Sequence, residues 1–153
     1  MIYPILKWLH ILAAITAVGA NITYGIWISR AARRPESLLF TLSSIKFIDD
    51  RVANPSFGLL LITGLLMVFT VRMPLLRTPW LLTALVLYGL LVLIGLFGFT
   101  PSLKRQLQIL ESQGPTSSEY QAVAGRGTVL GILLILLAVV IVFLMVVKPA
   151  LWA

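Results

Sequence analysis

Cysteine is absent from this chain, which closes several routes to function at once. No disulfide, thiolate nucleophile, covalent haem attachment through Cys-x-x-Cys-His or cysteine-ligated iron–sulfur cluster is available. Charge is nearly as scarce. Charged residues make up 11% of the 153 residues, against 59% hydrophobic. Soluble domains carry about a quarter charged residues to cover their surface, so the chain reads as a membrane protein of one domain. Histidine occurs once, as His10, and no acidic residue falls inside the longest apolar runs. A carboxylate proton relay, a paired-carboxylate site and a Ser-His-Asp set therefore have no visible support. The net charge of +7 does not point to nucleic acid. The basic residues flank apolar runs instead of clustering with aromatics, as membrane-flanking Lys and Arg do.

What is present is four apolar stretches of about bilayer-crossing length. They run over residues 8–29, 55–71, 80–100 and 127–147. The expected fold is all-α: a four-transmembrane-helix bundle with cytoplasmic amphipathic helices. Eight of the twelve basic residues lie in the first and third loops. The excess of positive charge places those loops in the cytoplasm and both termini outside, in a bacterial plasma (inner) membrane. Trp8, Trp80 and Trp152 then fall at the outer interface and Trp27 at the inner one. Val18-Gly19-Ala20 satisfies the small-residue rule for signal cleavage, but the preceding basic region is only Lys7, so the first segment is expected to be a retained span.

In the first loop Leu38, Leu42, Ile45, Ile48 and Val52 share one helical face, which predicts a helix lying on the membrane or on the bundle. Leu103, Leu107 and Leu110 repeat the pattern after Pro101. Gly114-Pro115 then stops the helix, and Thr116 with Glu119 has the spacing of a capping box that opens the fourth helix near Ser117.

The polar atoms of the first span follow a stripe. Tyr3, Lys7, His10, Ala14, Ala17, Asn21, Tyr24 and Ile28 recur at alternating spacings of four and three. At 100° per residue they share one face. A polar side chain toward lipid would lack a partner, so this face is expected to meet the other helices. Ala84, Tyr88, Leu91, Gly95 and Gly98 form a matching stripe on the third helix, and Gly127 and Gly131 allow close packing on the fourth. Asp49, Asp50, Arg51 and Asn54 gather at the entrance to the second span. Two readings hold there: a charge-paired cluster, or ordinary capping with Asn54 as N-cap and Pro55 at the first helical position.

The segments LKWLHILAAITAVGANITYGIWISRAAR, NPSFGLLLITGL and FLMVVKP resemble an uncharacterised bacterial family, domain of unknown function 2269. That resemblance implies an integral membrane protein of four helices and no known activity. The first helix is also similar to that of the copper-resistance D-type membrane domain and of the four-helix protoporphyrinogen oxidase that binds haem b. The latter likeness implies a haem-ligand role for His10 and a lysine in the third span; residues 79–101 contain no lysine.

Three readings of His10 follow. It is a neutral imidazole bonded to a neighbouring helix, a haem or copper ligand with methionine as second donor, or part of a site for another ligand. Met73, on the same side, is the best-placed methionine. The ligand-binding expectation rests on His10, Asn21, Tyr24 and Tyr88, and the haem or metal expectation on His10 and Met73. Lys7, Arg51, Asn54, Gly95, Gly98, Gly127 and Gly131 are expected at structural or interface positions. The functional expectation is a non-enzymatic membrane subunit or small-ligand-binding module in the lipid bilayer, as a homodimer or with a membrane-protein partner. The alternatives are a haem-b redox enzyme and a metal or solute transport component, the last needing a polar path through His10, Tyr88 and Asn21.

Overall fold

The computed structural model describes residues 2–151. The described chain is built on four long helices: α1 Ile2–Ala31, α2 Pro35–Thr70, α3 Pro79–Gln113 and α4 Ser118–Val147. Each is long and apolar enough to cross a membrane. A 3-10 turn, Leu75–Arg77, lies between α2 and α3. Trp152, expected at the outer interface, lies outside the described residues.

The helices contain 30 to 36 residues, or roughly 45 to 54 Å at 1.5 Å per residue. The hydrocarbon core of a bilayer is about 30 Å thick, so the bundle overshoots it. The excess lies at the end that holds the short turns at 32–34 and 114–117, called here the basic end. The amphipathic segments of the sequence lie there, but they are not separate surface helices. Residues 35–48 continue into the second span, and residues 100–113 continue out of the third.

Two prolines explain how this continuity is achieved. Pro55 and Pro101, expected to begin and end spans, both sit inside continuous helices. A proline there lacks an N–H and its ring crowds the carbonyl four residues back. In each helix a π turn absorbs that conflict, Asp49–Ala53 in α2 and Gly95–Phe99 in α3. The residue before each proline reaches five residues back: Asn54 N–H to the Asp49 carbonyl, and Thr100 N–H to the Gly95 carbonyl. Asn54 is therefore not an N-cap; its own backbone and that of Ala53 are right-handed helical.

The π turn also shifts the buried face. Leu38, Leu42 and Ile45 are buried as the periodicity requires, but Ile48 and Val52 are exposed, and Asp49 and Ala53 are buried instead. The wider turn delays each inward position by one residue. A carboxylate is thereby turned into the bundle. At the start of α4 the expected capping box is also displaced. Ser117 is the N-cap, its Oγ accepting from the Tyr120 N–H at 3.2 Å, while Glu119 turns to Arg105 and Gln113.

The larger buried cluster lies toward the basic end. It includes Tyr24, Leu38, Leu42, Ile45, Phe99, Leu103, Ile109 and Tyr120. Ala13, Ala17 and Leu60 form a smaller one toward the termini. Around the spans, large apolar side chains such as Ile15, Ile62, Phe69, Phe97, Leu136 and Val146 face outward, as lipid-facing residues do.

Candidate functional site

The polar stripe of α1 is the packed face. Ala17 and Tyr24 are buried, and Tyr3, His10, Ala14, Asn21 and Ile28 half-buried; Lys7 is the exposed exception. The stripe serves two separate polar centres.

The first centre joins α1 to α2. His10 Nδ1 lies 2.9 Å from Thr63 Oγ1. The Thr63 hydroxyl donates to the Leu59 carbonyl at 2.7 Å, so its single proton is spent. Its oxygen must then accept from His10, which places the imidazole proton on Nδ1 and leaves the Nε2 lone pair free. Gly64 makes room for the ring: a Cβ there would stand 3.1 Å from His10 Cε1. The small side chains Ala13 and Ala17, both buried, let α1 approach closely enough.

The second centre is Asp49, 4% exposed. Thr100 Oγ1 donates to its Oδ2 at 2.8 Å, and Asn54 Nδ2 donates to the same oxygen at 3.3 Å. The two donors are the residues that precede the two helix-interior prolines. One carboxylate oxygen thus holds both π turns. No described Lys or Arg forms an ion pair with Asp49; Lys46 pairs instead with Asp50, one turn along the same helix. Asp49 lies outside the expected span 55–71, and burial pushes its carboxyl above the usual carboxylate range.

Asp49, Asn54 and Thr100 line a cavity of about 170 Å³ together with Asn21, Tyr88 and Gly95. A count of hydrogen atoms shows what the cavity presents. Thr100 has given its proton to Asp49, and Tyr88 donates its own to the Phe57 carbonyl. Asn21 Nδ2 donates to the Ala17 carbonyl at 3.0 Å, which leaves its side-chain oxygen unbonded. Both donors to Asp49 use Oδ2, and no described residue donates to Oδ1. The wall is mostly apolar, with Phe57, Leu61, Leu91, Phe99 and Leu134 among its residues; its polar part offers the Asp49 carboxylate and the Asn21 oxygen, beside a second N–H on each of the Asn21 and Asn54 amides. Beside it the Tyr24 ring stacks on Phe99, centroids 6.3 Å apart, and the buried Tyr24 hydroxyl has no partner among the described residues.

The structure brings Asn21 and Tyr88 to one cavity and leaves His10 apart from it. Between them lie Ala13, Ala17 and Leu60, with Ala14 and Phe57 packed against them. That apolar layer separates His10 from Tyr88 and Asn21, so a continuous polar path does not join the three. Met73 is not brought to His10 either. Its N–H bonds the Val68 carbonyl in the turn after α2. The helical rise from Thr63 puts it roughly 10 Å further along the axis. His10 also lines neither the Asp49 cavity nor the two grooves at the basic end. His10 and Met73 are thus not brought together within one chain.

Arg51 is exposed and unpaired among the described residues. Gly98, Gly127 and Gly131 lie where α3 meets α4, with added Cβ atoms meeting neighbours at 3.5 to 3.6 Å; Gly95 faces open space. The tightest glycine is Gly64. Sequence periodicity did not single out Gly64, Thr63 or Thr100. The available signal was Asn54-Pro55 and Thr100-Pro101, two X–Pro pairs inside helical patterns.

Residues 4–149 match the family described as predicted integral membrane protein (DUF2269). The chain belongs to this family. Among curated proteins and among solved structures, nothing matches it. As a DUF2269 protein it sits in a lipid bilayer, and both polar centres belong to helices that cross or leave that bilayer.

Proposed function

We propose that this DUF2269 protein is a non-enzymatic membrane module that binds a small cation, inorganic or an organic ammonium, at Asp49. The observation that carries the reading is the buried Asp49 carboxylate, outside every ion pair among the described residues, on a cavity of about 170 Å³ where Asn21 and Tyr88 add polar groups to a mostly apolar wall. A buried carboxylate without a basic partner is costly unless it is protonated or meets a cation. Two neutral donors on one oxygen ease that cost only in part. Nothing resembling a nucleophile with its base faces the cavity, and metal-ligand groups of three or more His, Cys, Asp or Glu are absent among the described residues. A divalent-metal catalyst is thus not the favoured occupant.

The reading includes an orientation. The basic end, with Arg30, Arg33, Arg34, Lys104 and Arg105, faces the cytoplasm of a bacterial plasma membrane, and the termini face outward. Reporter fusions at each end test it; a cytoplasmic carboxyl terminus refutes it. The site is tested by thermal unfolding of the purified chain in detergent, against a series of alkali-metal, methylammonium and guanidinium chlorides at constant ionic strength. A bound cation raises stability by about 2.7 kcal/mol at a hundred times its Kd. The expected result is a saturable rise with at least one cation, absent from Asp49→Asn. A series without any saturable rise, or one that Asp49→Asn reproduces, refutes the site.

A further inference from the structure

We infer that the groove between the last turns of α1 and the first half of α2 binds the phosphate of an anionic phospholipid. The inference does not depend on the Asp49 site. The groove encloses about 690 Å³, and its wall includes Trp27, Arg30, Arg33, Arg34, Ser37 and Phe40. No Asp or Glu lines it.

Three arginines fall within five residues here, and all three are exposed. None is engaged in an ion pair: those found among the described residues are Lys46–Asp50 and Arg105–Glu119. Guanidinium groups present planar donor forks that match phosphate oxygens, and they stay charged at any pH the protein meets. The local backbone adds to this. α2 begins at Pro35 with Arg34 at its N-cap, and no side chain caps that end. The positive end of the helix dipole therefore points to the same place as the three cations; Glu36, in the first turn of the helix, is exposed and lies outside the lining of the groove.

The apolar part of the groove identifies which phosphate. Trp27 is 56% exposed and Phe40 76% exposed. Ile22 and Ile26, on the turns of α1 that precede the arginines, are also exposed and belong to the lipid-facing surface. A lipid moving along α1 would set its chains against these residues and its headgroup among the arginines. Trp27 sits at the level where indole rings favour the membrane interface. A free phosphate would use the charge and leave the aromatic wall unused, so the observations favour the lipid.

The test is native mass spectrometry of the full chain from mixed micelles of phosphatidylglycerol and phosphatidylcholine. The variants are Arg30→Gln/Arg33→Gln/Arg34→Gln and, at the opposite end of the bundle, Arg72→Gln/Arg77→Gln. Each basic residue near a headgroup strengthens binding about fivefold, so removal of three lowers retention by about a hundredfold. The expected result is one phosphatidylglycerol held in preference to phosphatidylcholine, lost from the triple variant and kept by the double one. Added sn-glycerol 3-phosphate leaves it in place. Equal retention of both lipids, retention by the triple variant, equal loss from the double variant, or full displacement by glycerol 3-phosphate overturns the inference; the last outcome would mark a soluble phosphate site. Should the triple variant not remain monodisperse, Arg33→Gln and Arg34→Gln singly are each expected to reduce retention, and unchanged retention in both overturns it.

Discussion

Replacing Thr63 by valine keeps the shape of the side chain and deletes the hydroxyl that receives His10. The bond is 2.9 Å long and joins α1 to α2. Thr63 is 3% exposed and His10 half-buried, so water replaces the lost partner poorly. A buried donor left without an acceptor costs about 1–3 kcal/mol in soluble proteins. Between membrane helices the measured coupling of such bonds is smaller, about 0.6 kcal/mol on average and about 1.7 at most. The half-buried ring and the deeply buried hydroxyl place this pair in the upper part of that range, so a coupling of about 1 kcal/mol is expected. It is read from a double-mutant cycle of Thr63→Val and His10→Leu, by unfolding in detergent with added dodecyl sulfate. A second readout is sharper. His10 is the only histidine, so nitrogen NMR of the labelled chain reports one imidazole without any assignment step. The proton is expected on Nδ1 in the parent, with the preference weakened in Thr63→Val, where the Leu60 carbonyl is the acceptor that remains. A parent imidazole protonated on Nε2, or a coupling near zero, refutes the argument from the Leu59 bond.

Four further outcomes follow from the same geometry. Gly64→Ala places a Cβ 3.1 Å from the His10 ring and is expected to destabilise by about 1–3 kcal/mol; Gly98→Ala, with its nearest contact at 3.5 Å, is expected to be neutral or stabilising by up to about 1 kcal/mol, both in the same unfolding assay. Asp49→Asn keeps an acceptor for Thr100 and Asn54 and is expected to match or exceed the parent at neutral pH, whereas Asp49→Ala strands both donors and lowers stability. Because burial raises the Asp49 carboxyl, its favourable contribution is complete below the ordinary carboxylate range and is lost as pH rises through the folded-state value; the unfolding midpoint should fall over that window in the parent and stay flat in Asp49→Asn. Glu119 behaves in the opposite sense, since its bonds to Gln113 and Arg105 lower it: what it contributes is present above the usual glutamate range and fades as acid is added, a fading that Glu119→Gln should remove.

The large features were legible in the sequence because they rest on composition and a short period. Apolar length gave the four helices, and alternating steps of four and three gave the packed face of α1. Gly114-Pro115 marked a break that the structure has. What escaped is what periodicity cannot carry. Pro55 and Pro101 read as helix boundaries, since proline ordinarily ends a helix. They are helix interiors because π turns absorb them. That one added residue per turn moved burial from Ile48 to Asp49, so the residue that clasps α2 to α3 appeared in the sequence as an entrance charge. Thr63 and Gly64 were hidden for a different reason. Their importance comes from where His10 arrives, which is set by the register of α1 against α2 and by no local pattern.

The two hairpin turns at 32–34 and 114–117 and the larger buried cluster lie at the same end of the bundle. Apolar contact drives helix association strongly where water is the competing solvent and weakly where lipid is. The inserted helices would therefore close from the basic end, like a zip whose slider starts in water. Each hairpin brings partners together with little loop entropy to overcome. The terminal half, where Ala13, Ala17 and Leu60 pack beside the His10–Thr63 bond and Leu81, Ala84 and Leu144 are buried separately, would then join last and part first.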